Sequence, residues 1–174
     1  MKVSIIGTRK PVRHQFYLAA VASNELSKDG FDIFTTGSRG ICDTVMMNCP
    51  VEQLTVIVPW RNYGEDIIPI DANRIIYSDD EFPEWRDSVF RFHSNPSVLS
   101  KGAIAFHACS FGIVKNSSLV IAFPESGGGG DTGRTIRIAK SLGIPVISIE
   151  PESALTKDEF LGLCARYFTE TKAS

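Results

Sequence analysis

Residues 118–142 constrain the fold of this chain more than any other segment. Ser118-Leu119-Val120-Ile121-Ala122 is an apolar run of the kind that fills the inside of a sheet. It leads into Phe123-Pro124-Glu125-Ser126 and then four consecutive glycines, Gly127, Gly128, Gly129 and Gly130. Asp131, Thr132, Gly133, Arg134 and Thr135 follow, after which Ile136, Ile138, Ala139 and Leu142 recur on one face of a helix. Strand, glycine loop and helix together make an anion site. Glycines let the backbone approach a ligand closely and take positive φ. The first helical turn adds unpaired N–H groups and the positive end of the dipole. Asp131 and Thr132 are placed to cap the helix, and Arg134 adds a cation near its start. The guest such a loop suits is a phosphate or a phosphorylated ribose. A flexible linker is the competing reading of four glycines. It fits less well, because the helix resumes at once and a further strand, Ile144-Pro145-Val146-Ile147-Ser148-Ile149, follows.

The same alternation runs through the rest of the sequence. Residues 2–6 read as a strand, ended by Gly7-Thr8-Arg9-Lys10-Pro11. Phe16, Leu18, Ala19, Ala22 and Leu26 mark a helix that Gly30 closes. Residues 31–35 form a second strand before Thr36-Gly37-Ser38-Arg39-Gly40, and Ile41, Val45 and Met46 a short second helix. Residues 54–58 form a third strand, ended by Pro59-Trp60-Arg61. Residues 60–95 read as an irregular lid or interface segment holding Trp60, Trp85, Pro69 and Pro83, with a short helix over 82–92. Residues 97–115 read as a helix, and 156–169 as a C-terminal one. Strands alternating with helices predict an α/β, Rossmann-like three-layer fold with a mainly parallel central sheet, in one domain over 1–174. Right-handed crossovers bring the loops after the strands to one edge, where ligands sit in such sheets.

Composition narrows the function. At 174 residues and 43% hydrophobic, the chain is globular, and its net charge of −2 makes a nucleic-acid partner unlikely. Arg9, Lys10 and Arg13 form a local basic group that a small anionic ligand explains. Cys42, Cys49, Cys109 and Cys164 show no metal-ligand spacing, so no metal or other cofactor is expected, and they read as reduced, mostly buried thiols. Met1-Lys2 leads straight into a strand and no run approaches a membrane span, so a cytoplasmic protein is expected.

Individual residues carry alternatives. Gly7-Thr8-Arg9 and Gly37-Ser38-Arg39 read either as parts of an anion site or as turns with solvated cations. Asp43 is placed to meet a ribose hydroxyl or simply to start its helix. Trp60 and Tyr63 suit stacking on a base, or packing in a core or interface. His107 and Cys109, two apart on a helix, face different sides, and a buried inert thiol is the better reading of Cys109. His14 and His93 read as surface or satisfied histidines.

The combination of Ile6-Gly7-Thr8-Arg9-Lys10-Pro11, of Thr36-Gly37-Ser38-Arg39-Gly40-Ile41-Cys42-Asp43 and of the glycine loop with Gly143-Ile144-Pro145-Val146 resembles the SLOG superfamily. That Rossmann-like group includes the DNA-processing protein A domain, the lonely-guy phosphoribohydrolases and small nucleotide-sensing modules. Val58-Pro59-Trp60 is similar to a strand-ending motif of the small members. The resemblance spans residues 1–150 and implies a pocket for a nucleotide or nucleotide-derived signal. Its expected lining is Gly7, Thr8, Arg9, Gly37, Ser38, Arg39, Asp43, Trp60, Gly128, Gly129, Gly130, Asp131, Thr132, Gly133, Arg134 and Thr135. It implies a sensor or a sequestering protein for an ADP-ribose-type messenger or a nucleoside phosphate, in defence or counter-defence, with homo-oligomers common. The enzyme branch cleaves base from ribose 5′-phosphate, or transfers deoxyribose. Its motif is Pro-Gly-Gly-x-Gly-Thr followed by a catalytic Glu. Here no carboxylate follows Thr132 in the next two turns, which disfavours that chemistry, and no catalytic residue is assigned. Single-stranded DNA binding, by likeness to the DNA-processing protein, is the third reading.

Overall fold

The computed structural model describes residues 1–172. Its centre is a sheet of six strands, all parallel: β1 (Lys2–Gly7), β2 (Asp32–Thr36), β3 (Leu54–Val58), β4 (Asn73–Ile76), β5 (Leu119–Phe123) and β6 (Val146–Ser148). Their order is β4-β3-β2-β1-β5-β6. The chain builds outward from β1 to β4, then crosses back and continues from β5 on the other side of β1. The topological switch point is therefore between β1 and β5, where Gly7 stands opposite Phe123. Strands β3 and β5 are buried along their whole length, as both faces are covered.

Six helices cover the sheet: α1 (Arg13–Lys28), α2 (Ile41–Asn48), α3 (Pro83–Phe92), α4 (Lys101–Lys115), α5 (Gly130–Ser141) and α6 (Lys157–Lys172). The core on one face joins Leu18, Ala22, Ile41, Val45 and Phe160 to Val3, Ile5 and Ile121. The core on the other joins Trp85, Val89, Ala108, Ile113 and Ile138 to Ile6, Ile57 and Val120. α1 buries Gln15, Leu18, Ala19, Ala22, Ser23 and Leu26, a spacing of three and four that matches its turn. Gly30 ends it at φ 80°.

Several expectations change. Phe16 was placed on the buried face of α1 and is 40% exposed, because Gln15 takes the inward position beside it. The segment 60–95 is not irregular throughout: β4 extends the sheet beside β3, and α3 packs on α4. What hid β4 is its length of four residues, with Asn73 and Arg74 among them. The α3–α4 contact needs Gly112, since a Cβ there would sit 2.3 Å from the Trp85 ring. The helix expected over 97–115 begins at Lys101, capped by Ser100 accepting from the Ala103 N–H at 3.2 Å; a short 3₁₀ turn, Pro96–Val98, precedes it. No helix among the described residues is long and apolar enough to cross a membrane.

Candidate functional site

A cavity of about 320 Å³ opens at the carboxyl ends of the central strands, over the switch point. β1 contributes Ile6 and Gly7, and the loop after it Thr8, Arg9 and Lys10. The end of β2 contributes Thr36 and the loop after it Ser38, with Cys42 from α2; β3 and its loop give Ile57, Pro59 and Tyr63. The glycine loop and the start of α5 supply Glu125, Gly129, Gly130, Asp131, Thr132 and Thr135. α4 closes the apolar side with Phe106, Cys109, Ser110 and Ile113.

The loops are held by the backbone. The Thr8 N–H donates to the Phe123 carbonyl at 2.8 Å, and the Ile41 N–H to the Thr8 carbonyl at 3.2 Å. Gly40, at φ 84°, lets the second loop touch the first: a Cβ there would lie 2.5 Å from the Thr8 carbonyl oxygen. The glycine loop is anchored from below by Gln15, which is fully buried. Its Nε2 donates to the carbonyls of Pro124 at 2.8 Å and Ile149 at 2.9 Å, and its Oε1 accepts from the Val12 N–H at 3.2 Å. Nothing in the sequence pattern marked Gln15.

Of the expected ligand residues, Gly7, Thr8, Arg9, Ser38, Gly129, Gly130, Asp131, Thr132 and Thr135 line this cavity. Gly37 and Arg39 line a neighbouring one instead. Asp43, Trp60, Gly128, Gly133 and Arg134 line neither. Asp43 sits in the first turn of α2, half-buried. Trp60 packs edge-on against Tyr63 and Phe106, at ring centroid distances of 5.4 and 5.6 Å, so that it backs the aromatic wall. Gly133 serves the loop's packing. Arg134 turns towards α4, where it meets His107 and pairs with Asp131 at 3.1 Å. Burial lowers the Arg134 pKa from its ordinary value, with Arg137 adding to the shift. The helix cap also differs from expectation. Gly129 is the N-cap and no side chain caps the first turn, because Asp131 lies inside the helix and reaches Arg134. The Thr135 hydroxyl is likewise spent, donating to the Asp131 carbonyl at 2.9 Å.

Lys10, read in the sequence as part of a basic group for an anionic ligand, lines the cavity; sequence reasoning missed Thr36, Glu125 and Phe106 as cavity residues, although Glu125 stands inside the glycine-loop motif. His93, expected to be a surface or satisfied histidine, accepts from the Asn95 N–H at 3.1 Å and stacks on His107 with centroids 5.1 Å apart. Among the described residues, His14 Nε2 is buried without a hydrogen-bond partner. No group of three or more His, Cys, Asp or Glu able to hold a metal occurs among the described residues. All four cysteines are buried and free, and burial pushes the Cys109 thiol up to about 12. Cys109 should therefore stay unmodified by iodoacetamide at pH 8 in the native protein and react once urea unfolds it. Rapid native labelling at Cys109 by peptide mass mapping would refute that.

No protein-family model matches the chain, and no curated protein matches it in sequence. Solved structures do. DNA processing protein A from Helicobacter pylori, described with a single-stranded DNA binding mode, superposes with a TM-score of 0.63 at 20% identity, over 95% of this chain and 72% of that one. The shared architecture is a Rossmann-like α/β fold. The molybdenum cofactor carrier protein of Chlamydomonas reinhardtii shares it with a TM-score of 0.61 at 11% identity, over 97% and 98% of the two chains. So does the molybdenum cofactor binding protein of Rippkaea orientalis, with a TM-score of 0.57 at 14% identity, over 95% and 85%. These likenesses are of fold, and the residues that line the cavity must supply the argument for function.

Proposed function

We propose that this chain binds a nucleotide-derived small molecule, with a phosphate on the glycine loop and a planar ring against the apolar wall. One observation carries the reading: a single cavity has an end suited to an anion and an end suited to a ring. At the first end, the opening turn of α5 lines the cavity, and its N–H groups have no partner within the helix. Arg9 and Lys10 add positive charge from the β1 loop. At the other end, Ile57, Tyr63, Phe106 and Ile113 offer an apolar surface, with the Tyr63 and Phe106 rings 4.9 Å apart and edge-on. Glu125, Thr36 and Ser38 are available to the hydroxyls of a ribose between the two ends. The volume suits one nucleotide rather than a strand, and a net charge of −2 offers no basic surplus for a polyanion.

Fold neighbours that bind a small cofactor support ligand binding as the role. The resemblance of the loops supports an ADP-ribose-type or nucleoside phosphate ligand, held by a sensor or a sequestering protein. Titration calorimetry with AMP, NAD and ADP-ribose tests the reading. Arg9→Ala should weaken binding about tenfold or more, the size of one charge-assisted hydrogen bond. Unchanged affinity would place the phosphate elsewhere. Free base appearing in the same samples would instead make this an N-glycosidase, with the Glu125 or Asp131 carboxylate at the reacting bond.

A further inference from the structure

We infer that a second, smaller cavity beside the first is an anion subsite, so that the ligand carries a second phosphate group. This rests on the nucleotide reading of the main cavity and narrows its ligand class. The second cavity has a volume of about 260 Å³. Arg9 and Tyr63 line both cavities, and they form the boundary between them. The Tyr63 hydroxyl and the Ser38 hydroxyl lie 3.3 Å apart, joining the walls of the two spaces. A ligand that spans both spaces passes the shared residues Arg9 and Tyr63.

Two arginines on its walls, Arg9 and Arg39, make this space suit an anion. Gly64 takes φ 70°, and a Cβ on it would meet the Gly37 carbonyl oxygen at 2.7 Å, while a Cβ on Gly37 would meet Ile68 at 2.8 Å. Both positions therefore demand glycine, and this close packing fixes the wall on which Arg39 stands. Arg39 is paired with Asp66, but the two side chains are 64% and 67% exposed. An ion pair that open to water is worth little. A phosphate group offers a guanidinium the same bidentate geometry with more charge, so it displaces the carboxylate. Asp66 therefore acts as a weak internal competitor that holds Arg39 over the space until the ligand arrives.

Two ligand classes share the chemistry, a pyrophosphate-linked nucleotide and a nucleotide with phosphates at both ends of its ribose. ADP-ribose and adenosine 3′,5′-bisphosphate represent them, with AMP as the one-phosphate reference. Calorimetry at constant salt compares the three on the wild type, Arg39→Ala and Asp66→Asn. At least one two-phosphate ligand should bind about tenfold tighter than AMP. Arg39→Ala should remove that gain while AMP affinity stays within about twofold, and Asp66→Asn should enlarge it. Which ligand shows the gain identifies the class. Equal affinities for all three ligands, or a gain that survives Arg39→Ala, would overturn the subsite and leave the main cavity's reading intact. Failure of AMP and of both larger ligands to bind would remove the main reading, and the subsite with it.

Discussion

Gly133→Ala is expected to dismantle the glycine loop and abolish ligand binding. The residue lies in the first turns of α5, where alanine ordinarily gains about 1 kcal/mol over glycine. Local propensity therefore predicts a more stable protein. Packing predicts the reverse and wins. A Cβ at position 133 would sit 1.8 Å from the Gly128 carbonyl oxygen, and the obstacle is backbone that no rotamer change can move. Either the loop lifts or the helix start unwinds, and each displaces the N–H groups on which an anion depends. Overpacking of this kind costs about 2–3 kcal/mol, which lowers Tm by roughly 5–10 °C at this chain length. Affinity for the best ligand should fall by more than about a hundredfold, since the loop's geometry is the anion site. Gly127→Ala is the matched control. Its φ is 84° but nothing lies within 4 Å of the added atom. It should cost about 1 kcal/mol through left-handed strain alone and leave most of the affinity. Wild-type melting and affinity in Gly133→Ala would refute the role given to this contact.

That pair of glycines also shows which parts of the molecule are legible in a sequence. Four glycines after an apolar strand announce an anion loop, and the loop lies where the strand alternation requires. The same stretch does not say which glycines admit a ligand and which admit only their own backbone. Gly129 and Gly130 line the cavity, whereas Gly133 faces Gly128. The parallel sheet was readable because long apolar strands alternate with amphipathic helices. β4 was not, because four residues with two polar members carry no period. Arg134 shows the limit for side chains. Its position beside the loop is a matter of sequence, but its direction is decided by His107 on α4 and Asp131 one turn away. Phe106 entered the cavity through tertiary placement that no local pattern encodes, whereas Glu125 stands in the glycine-loop motif itself. The expected residues that do line it, such as Thr8 and Ser38, sit at strand ends, where topology alone fixes position.

Gln15→Leu should be the most damaging conservative change outside the cavity. Glutamine on a helix usually reads as a solvated residue, yet here it is fully buried. Its amide ties the end of β5 to the segment after β6, through carbonyls 109 and 134 residues away in sequence. Leucine keeps the volume and removes both donors. The Pro124 and Ile149 carbonyls then lose their amide partner in an interior that water does not reach, and the Val12 N–H loses its acceptor. Each buried group left unpaired costs about 1–3 kcal/mol, against about 1 kcal/mol regained from burying an apolar side chain. The expected net loss is about 3 kcal/mol, or roughly 6–12 °C in Tm. Pro124 immediately precedes Glu125 and the glycines, so this loss should extend to function. Ligand affinity should fall together with stability, even though Gln15 does not line the cavity. Saturating ligand should then raise the Tm of the wild type more than that of the variant, because binding must re-form an anchor the variant lacks. Equal ligand-induced shifts would mean that the glycine loop holds its shape without Gln15. Its anchors would then be the Thr8–Phe123 backbone bond, the Ser126 hydroxyl donating to Glu152 at 2.7 Å and the packing of Gly133 on Gly128.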